Sequence, residues 1–240
     1  MAAFQTHFLG REEVAHGTAG FRFARPAGFD FTAGQAVKLT LLDPPETDAR
    51  GDLRTFSIAS APHEDSLLFA TRLRDTAFKR VLGALAAGTP VKLRGPMGTF
   101  TLPEDPARPV VMLAGGIGIT PFMSMLGHAE RAQLAAPRTL LYSNRRPEDA
   151  PFIAELQALA ARDPRLKLVA TMTEMDKSAQ PWSGERALLD AAFLERHLAH
   201  GAAPVYYIAG PPGLVSAMGK LLREAAVPEA DIRTDEFFGY

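Results

Sequence analysis

The 240-residue chain contains no cysteine. That absence excludes disulfides, thiolate metal centres, cysteine nucleophiles and any cysteine-ligated iron–sulfur cluster carried by the chain itself. Net charge is also scarce. With 26 basic against 27 acidic residues the formal balance is −1, and no run of one sign suggests a basic arm or an acidic tail. No global field therefore recruits nucleic acid. The opening residues, MAAFQTHFLGREEV, lack the basic and then apolar pattern of a secretory leader. One charge-free run, Val110 to Leu126, is interrupted by three glycines, a threonine and a proline. It reads as buried strand, tight loop and helix start rather than as a membrane span. A cytoplasmic location without a transmembrane segment is the default expectation.

What is present divides near residue 105. The first hundred residues carry short β-branched and aromatic runs punctuated by Gly, Pro and Asp. Strands are expected over Thr18–Ala24, Gln35–Leu42, Leu53–Ser60, Leu67–Leu73 and Pro90–Arg94. One helix is expected over Ala77–Ala87, and a polar loop over Asp43–Asp52. Close strand spacing with a single helix predicts a small antiparallel barrel. Pro103–Pro109 reads as a linker. Beyond it, apolar strands at Val110–Ala114, Arg138–Ser143, Leu166–Met172, Val205–Ala209 and Ile232–Phe237 alternate with helical segments. Those are Phe122–Leu134, Phe152–Arg162, Leu188–Ala199 and Leu214–Ala226. Repeated βαβ units predict a doubly wound parallel sheet. The expected organisation is thus a β-barrel domain over 1–104 and an α/β domain over 108–240.

The most informative motif is VVMLAGGIGITPF. A buried strand is expected to end at Ala114, with Gly115, Gly116 and Gly118 permitting close backbone approach to a ligand. Thr120 falls where a helix N-cap belongs and Pro121 suits the first helical position. Unpaired N–H groups and the helix dipole at such a turn favour a pyrophosphate. Pro121 stands where a standard GxGxxG fingerprint has its third glycine. YYIAGPPGLV repeats the strand–turn–helix pattern at Gly210, Pro211, Pro212 and Gly213. The second strand of the sheet runs into Ser143, Asn144, Arg145 and Arg146. Arginine there suits the 2′-phosphate of NADPH, whereas Glu148 and Asp149 soften that preference.

In the barrel half, Arg54-Thr55-Phe56-Ser57-Ile58-Ala59-Ser60 places Arg54, Phe56 and Ile58 on one face by period two. An arginine beside an aromatic ring can hold a phosphate next to a flat heterocycle. The plainer reading is an edge-strand arginine and a core phenylalanine. His197 and His200, three apart near a helix end and without a third ligand, are read as contacts to that helix end rather than as a metal site.

RTFS, GPMGTF (Gly95–Phe100), AGGIGITP, AGPPG and a C-terminal EFF succeed one another in the order and spacing of the ferredoxin–NADP⁺ reductase superfamily. The chain resembles that family over essentially its whole length. The resemblance implies bound FAD and NADPH or NADH as electron donor. It implies that Arg54 holds the flavin-nucleotide pyrophosphate, with Thr55 in the same strand. Phe56 would lie against the isoalloxazine, and Ser57 near flavin N5. Thr76, Ala77, Phe78 and Lys79 would offer backbone N–H groups to the FAD phosphates. Gly116, Gly118, Thr120 and Pro121 would border the nicotinamide nucleotide's phosphates, with Asn144 and Arg145 at its ribose end. Gly210 and Pro211 would sit near the nicotinamide, and Glu236 and Phe237 would close over the flavin. Ser57 and Glu236 are the expected catalytic pair.

Three departures from the family pattern stand out. TAFK replaces GxxS, which puts Lys79 at the serine position. Ala209 replaces a frequent cysteine, and Phe56 a frequent tyrosine. A separate one-electron acceptor protein is implied, because any iron–sulfur carrier must be another chain. The alternative is a non-enzymatic flavin- or nucleotide-holding subunit of a larger complex.

Overall fold

The computed structural model describes residues 2–198 and 203–238, in two compact units. The first comprises Met1–Thr101 together with Thr120–Arg131, and the second Leu102–Ile119 together with Ala132–Tyr240.

Six strands build the first unit. They are β1 (Ala3–Ala15), β2 (Thr18–Ala24), β3 (Ala36–Leu41), β4 (Leu53–Ser57), β5 (Ser66–Arg72) and β6 (Pro90–Met97), in the order β4-β3-β6-β1-β2-β5. All neighbours are antiparallel. The sheet curls because its two edges meet. After Ser57 the chain leaves β3, and the Ala59 N–H donates to the Leu68 carbonyl on β5 at 2.8 Å. The Ser60 hydroxyl then accepts from the Leu68 N–H at 3.0 Å. This crossover ends β4 three residues before the expected Ser60. It also buries Ser57, Ile58, Ala59 and Ser60 together, where strict alternation would expose every second residue.

The interior is largely aromatic. Phe8, Phe21, Phe23, Phe29, Phe56, Phe69 and Phe78 belong to one core cluster with Val37, Leu39, Leu67, Val91 and Leu93. Each such ring contributes on the order of 1.5–3 kcal/mol by leaving water. The unit's first helix, α1 (Ala77–Gly83), joins this core through Ala77, Phe78, Val81 and Leu82. It ends four residues before the expected Ala87. Ala84, Ala86 and Ala87 are exposed or nearly so, and alanine's helix preference alone does not extend a helix that has lost its apolar face.

β1 has no counterpart in the sequence reading. Its first half pairs with β6 over Ala3–His7 and its second half with β2 over Phe8–Ala15, with irregularities at Phe8/Gly10 and Glu13/Ala15. The only local signal was Phe4, Thr6 and Phe8 at period two. The charged REEV beyond them conceals the rest.

A second helix, α2 (Thr120–Arg131), is also part of this unit. Its Ser124 hydroxyl donates to the Ser60 carbonyl at 2.7 Å, and the Phe122 ring lies 5.7 Å from that of Phe100.

The second unit holds five parallel strands: β7 (Val110–Gly115), β8 (Arg138–Asn144), β9 (Leu166–Met172), β10 (Val205–Gly210) and β11 (Ile232–Glu236). Their order is β11-β10-β7-β8-β9. The helices α3 (Ile153–Arg162), α4 (Ala191–His197) and α5 (Pro212–Glu224) intervene. α4 starts later than the expected Leu188 because Asp190 caps it, accepting from the Phe193 N–H at 2.8 Å. The chain winds outward through β7, β8 and β9, then returns to add β10 and β11 on the other side. The sheet reverses direction between β7 and β10, the position where open α/β sheets bind ligands at the carboxyl ends of their strands.

At the opposite end of the sheet lies a structural ion pair. Arg138 and Asp163 are 2% and 3% exposed, and their side chains meet at 2.8 Å. Arg138 also donates to the carbonyls of Leu134 and Ala136, while Asp163 accepts from Arg165. Burial works against the Asp163 carboxylate, but these donors hold it below the usual carboxylate range.

Candidate functional site

In the barrel unit, Arg54 lies on the edge strand β4, which pairs only with β3. Its guanidinium donates to the carbonyls of Arg50, Gly51 and Leu53 at 2.7–2.9 Å. It also lies 3.4 Å from the Asp48 carboxylate and 4.8 Å from the centre of the Phe78 ring. The polar loop Asp43–Asp52 is thus held at one end by Arg54. Elsewhere Glu46 pairs with Arg80, which also binds Asp75. Thr55 is exposed. Phe56 is 8% exposed, with its ring 5.9 Å from Phe69 and 6.1 Å from Phe78. Its ring is a core side chain packed against both. Ser57 is buried opposite Ala36.

Thr76 caps α1, its hydroxyl accepting from the Lys79 N–H at 3.4 Å. Ala77 and Phe78 are buried. The Lys79 side chain is half-buried, and its ammonium is pushed down to about 8 by burial first and then by Arg74, Arg50, Arg54 and Arg72. Among the described residues Lys79, Arg50, Arg72 and Arg74 have no carboxylate partner. Four guanidinium groups around one half-buried lysine form a donor set suited to a polyphosphate.

In the α/β unit the glycine-rich turn differs from its expected form. β7 continues to Gly115, and a 3-10 turn over Gly116–Ile119 leads directly into α2. Thr120 is therefore the first α-helical residue and not an N-cap. Winding begins four residues earlier because Gly116, at φ +51°, has already turned the chain. Two of the three glycines serve the protein's own packing. A Cβ on Gly118 would stand 2.3 Å from the Ala209 carbonyl oxygen, and one on Gly115 would stand 2.6 Å from Leu214. A Cβ on Gly116 would meet nothing within 4 Å. At the end of β10, Gly210 adopts φ +153° against the backbone of Gly115. Pro211 comes next and opens α5 by accepting from the N–H groups of Leu214 and Val215. The two glycine turns thus interlock at the reversal point of the sheet. Glu236 pairs with Gly210 in register, and the Phe237 N–H donates to the Gly210 carbonyl at 3.0 Å. Gly210, Pro211, Glu236 and Phe237 are accordingly neighbours.

On β8, Tyr142 and Asn144 share a face. The Tyr142 hydroxyl lies 3.1 Å from the Gly116 carbonyl and 3.0 Å from that of Pro151. Asn144, at the carboxyl end of the strand, is 6% exposed, and neither its amide nitrogen nor its amide oxygen has a hydrogen-bond partner. A buried amide left unpaired costs about 1–3 kcal/mol. Such an orphan, at the carboxyl end of the strand next to β7, fits a polar ligand supplying the missing partners.

Arg145 is 67% exposed and 3.5 Å from Glu174. Arg146 is committed to Asp149 through two bonds of 2.7 and 2.8 Å, with Glu148 at 3.5 Å. Glu174 and Lys177, just beyond β9, pair with each other at 2.8 Å. Sequence reading missed both. Their signal was TEMDK after the neighbouring strand, at the same end of the sheet. His197 lies 3.0 Å from Glu185, and His200 is outside the described residues. Among the described residues no cluster of potential metal ligands exists, and no helix is long and apolar enough to cross a membrane.

A curled antiparallel barrel followed by a doubly wound sheet whose glycine turns interlock at the switch point defines a dinucleotide-binding protein of two-unit design. Residues 112–220 match the family described as the oxidoreductase NAD-binding domain. The chain is 33% identical over 226 residues to ferredoxin–NADP reductase B of Sorangium cellulosum, covering 90% of this chain and 89% of that one. It is 31% identical over 206 residues to the glycine betaine monooxygenase reductase subunit of Chromohalobacter salexigens, covering 85% of this chain but only 55% of that subunit. Among solved structures, a ferredoxin–NADP⁺ reductase of Neisseria gonorrhoeae with bound FAD and NADP superposes with a TM-score of 0.80. That match has 23% identity and covers 99% of this chain and all of the other. The chain belongs to the ferredoxin–NADP⁺ reductase superfamily.

Proposed function

We propose that the chain is a reductase that moves electrons from NADPH or NADH, through FAD, to a separate acceptor protein such as a ferredoxin or an oxygenase component. The observation carrying this reading is the unpaired Asn144 amide at the carboxyl end of β8, in the same sheet as two glycine turns that interlock at its switch point. The names of two relatives, a ferredoxin reductase and an oxygenase reductase subunit, support the choice of acceptor. The cytoplasm, where reduced nicotinamide is available, is the compartment we assign.

FAD supplies the redox chemistry, accepting electrons in pairs and releasing them singly. The protein binds, orients and excludes water. In this reading the barrel, residues 1–104, holds the flavin, and residues 108–240 hold the nicotinamide nucleotide. Arg54 and the Thr76–Lys79 segment grip the flavin's phosphates. Phe56 presents its ring margin to the heterocycle, with Thr55 and Ser57 beside it. Ser57 is sequestered from water, which suits a hydroxyl that holds a proton near the reacting nitrogen. The turn from Gly116 through Gly118, Thr120 and Pro121 presents backbone N–H groups to the second nucleotide, and Asn144 pairs with its polar edge. Arg145, the more accessible of the two arginines, favours NADPH through its 2′-phosphate. Gly210 and Pro211 accommodate the nicotinamide without side-chain obstruction. Glu236 and Phe237, fastened to Gly210, complete the pocket and give Glu236 a route for proton exchange with solvent.

An absorbance spectrum of the purified chain tests this directly. Flavin bands that bleach rapidly when NADPH or NADH is added anaerobically are expected. A colourless protein that FAD cannot reconstitute would defeat the reading.

A further inference from the structure

Lys79 is the one lysine of the barrel pressed among arginines. Arg54 comes from β4, Arg50 from the loop before it, Arg72 from the end of β5, and Arg74 from the turn that leads to α1. The acidic groups nearby are already engaged. Asp48 faces Arg54 and accepts from the Arg50 N–H, while Glu46 and Asp75 are both bound to Arg80. A cation half-removed from water and surrounded by like charge is unfavourable unless an anion completes the group. Nothing in α1 requires it, because the buried face of that helix is formed by Ala77, Phe78, Val81 and Leu82.

We propose that the Lys79 ammonium, together with Arg54 and the flanking Arg72 and Arg74, is a direct side-chain ligand of the pyrophosphate of the bound flavin dinucleotide. The contact adds to any backbone donors and makes binding of the cofactor dependent on proton uptake. It rests on the FAD-binding reading above.

The sign is set by the surroundings. Burial and four guanidinium groups oppose the charge of the Lys79 ammonium and push it down to about 8. A diphosphate favours the charged form and raises that value. Above pH 8 binding must therefore draw one proton from solvent, and affinity falls as pH rises.

The test is FAD binding to the apoprotein, monitored by flavin fluorescence quenching between pH 6.5 and 9.5, for the native chain, Lys79→Arg and Lys79→Gln. ADP serves as a second probe that carries the diphosphate without the isoalloxazine. The native chain should bind both ligands progressively more weakly above pH 8. Lys79→Gln should lose about 10- to 100-fold in affinity at pH 7 and show no slope. Lys79→Arg should retain most of the affinity and also lose the slope, because arginine does not titrate. Circular dichroism of the two variants separates folding loss from binding loss. If Lys79→Gln folds and binds FAD with native affinity and pH profile, the lysine contact is refuted while the flavin assignment stands. If no form of the chain binds FAD, both are refuted.

Discussion

On the proposed reading, the two units would hold their nucleotide phosphates by different means. In the barrel the side chains of Arg50, Arg54, Arg72, Arg74 and Lys79 converge, and among the described residues only the Arg54 guanidinium of this group has a carboxylate partner. In the α/β unit the proposed donors are the backbone groups of the glycine turns and the neutral amide of Asn144. The cations at that end are already compensated, Arg146 by Asp149 and Lys177 by Glu174. On the proposed reading the contrast fits two tasks. A cofactor that stays through many turnovers suits strong, charge-assisted bonds. A substrate that must leave after each turnover suits weaker, neutral ones, since uniform tight binding of a substrate does not raise kcat.

The largest test of this contrast concerns the backbone side. Gly118→Ala should cost about 3 kcal/mol of stability, because its Cβ would overlap the Ala209 carbonyl, a backbone atom that cannot swing away. Gly116→Ala should cost only about 1 kcal/mol, the strain of its left-handed φ, because the space around it is open. Urea unfolding measures both. Equal costs would mean that contact with β10 is not what shapes the turn.

Asn144→Leu comes next and separates ligand from fold. Removing an unpaired buried amide at similar volume should leave the free protein as stable or more so by about 1 kcal/mol. Nicotinamide nucleotide binding should weaken about tenfold, with FAD affinity unchanged. A destabilised free protein would argue that the amide has a partner within the chain.

The smallest effect belongs to Arg145→Ala. An exposed arginine weakly shared with Glu174 should be worth about fivefold in kcat/KM for NADPH, with NADH unaffected. An equal loss with both donors would remove the 2′-phosphate role. Arg146→Ala sharpens the comparison, since it should alter stability and leave donor preference unchanged.

Much of the architecture was legible because it rests on local rules. Apolar runs punctuated by glycine and proline read out β2 through β11, and the βαβ rhythm read out the doubly wound sheet. Features set by distant neighbours were not legible. The long β1 divides its pairing between β6 and β2, and charged residues cover its second half. The room at Gly118 is taken by a carbonyl about ninety residues away in sequence, so a motif that reads as an approach for ligand is also a junction between strands. The burial of Phe56, the crowding of Lys79 and the orphaned amide of Asn144 each depend on side chains brought together only by folding. Glu174 and Lys177 were within reach of local rules, because the residues just past the carboxyl ends of parallel strands gather at one end of the sheet.

The assignment of α2 to the barrel unit bears on how the chain is made. On the ribosome, residues up to Thr101 emerge first, yet the Ser60 carbonyl and the Phe100 ring must wait for Ser124 and Phe122. At roughly 5–20 residues per second the delay is on the order of seconds. During it the Ser60 carbonyl and the Phe100 ring lack these α2 partners. A gene cut at the proline-rich linker would make that loss permanent.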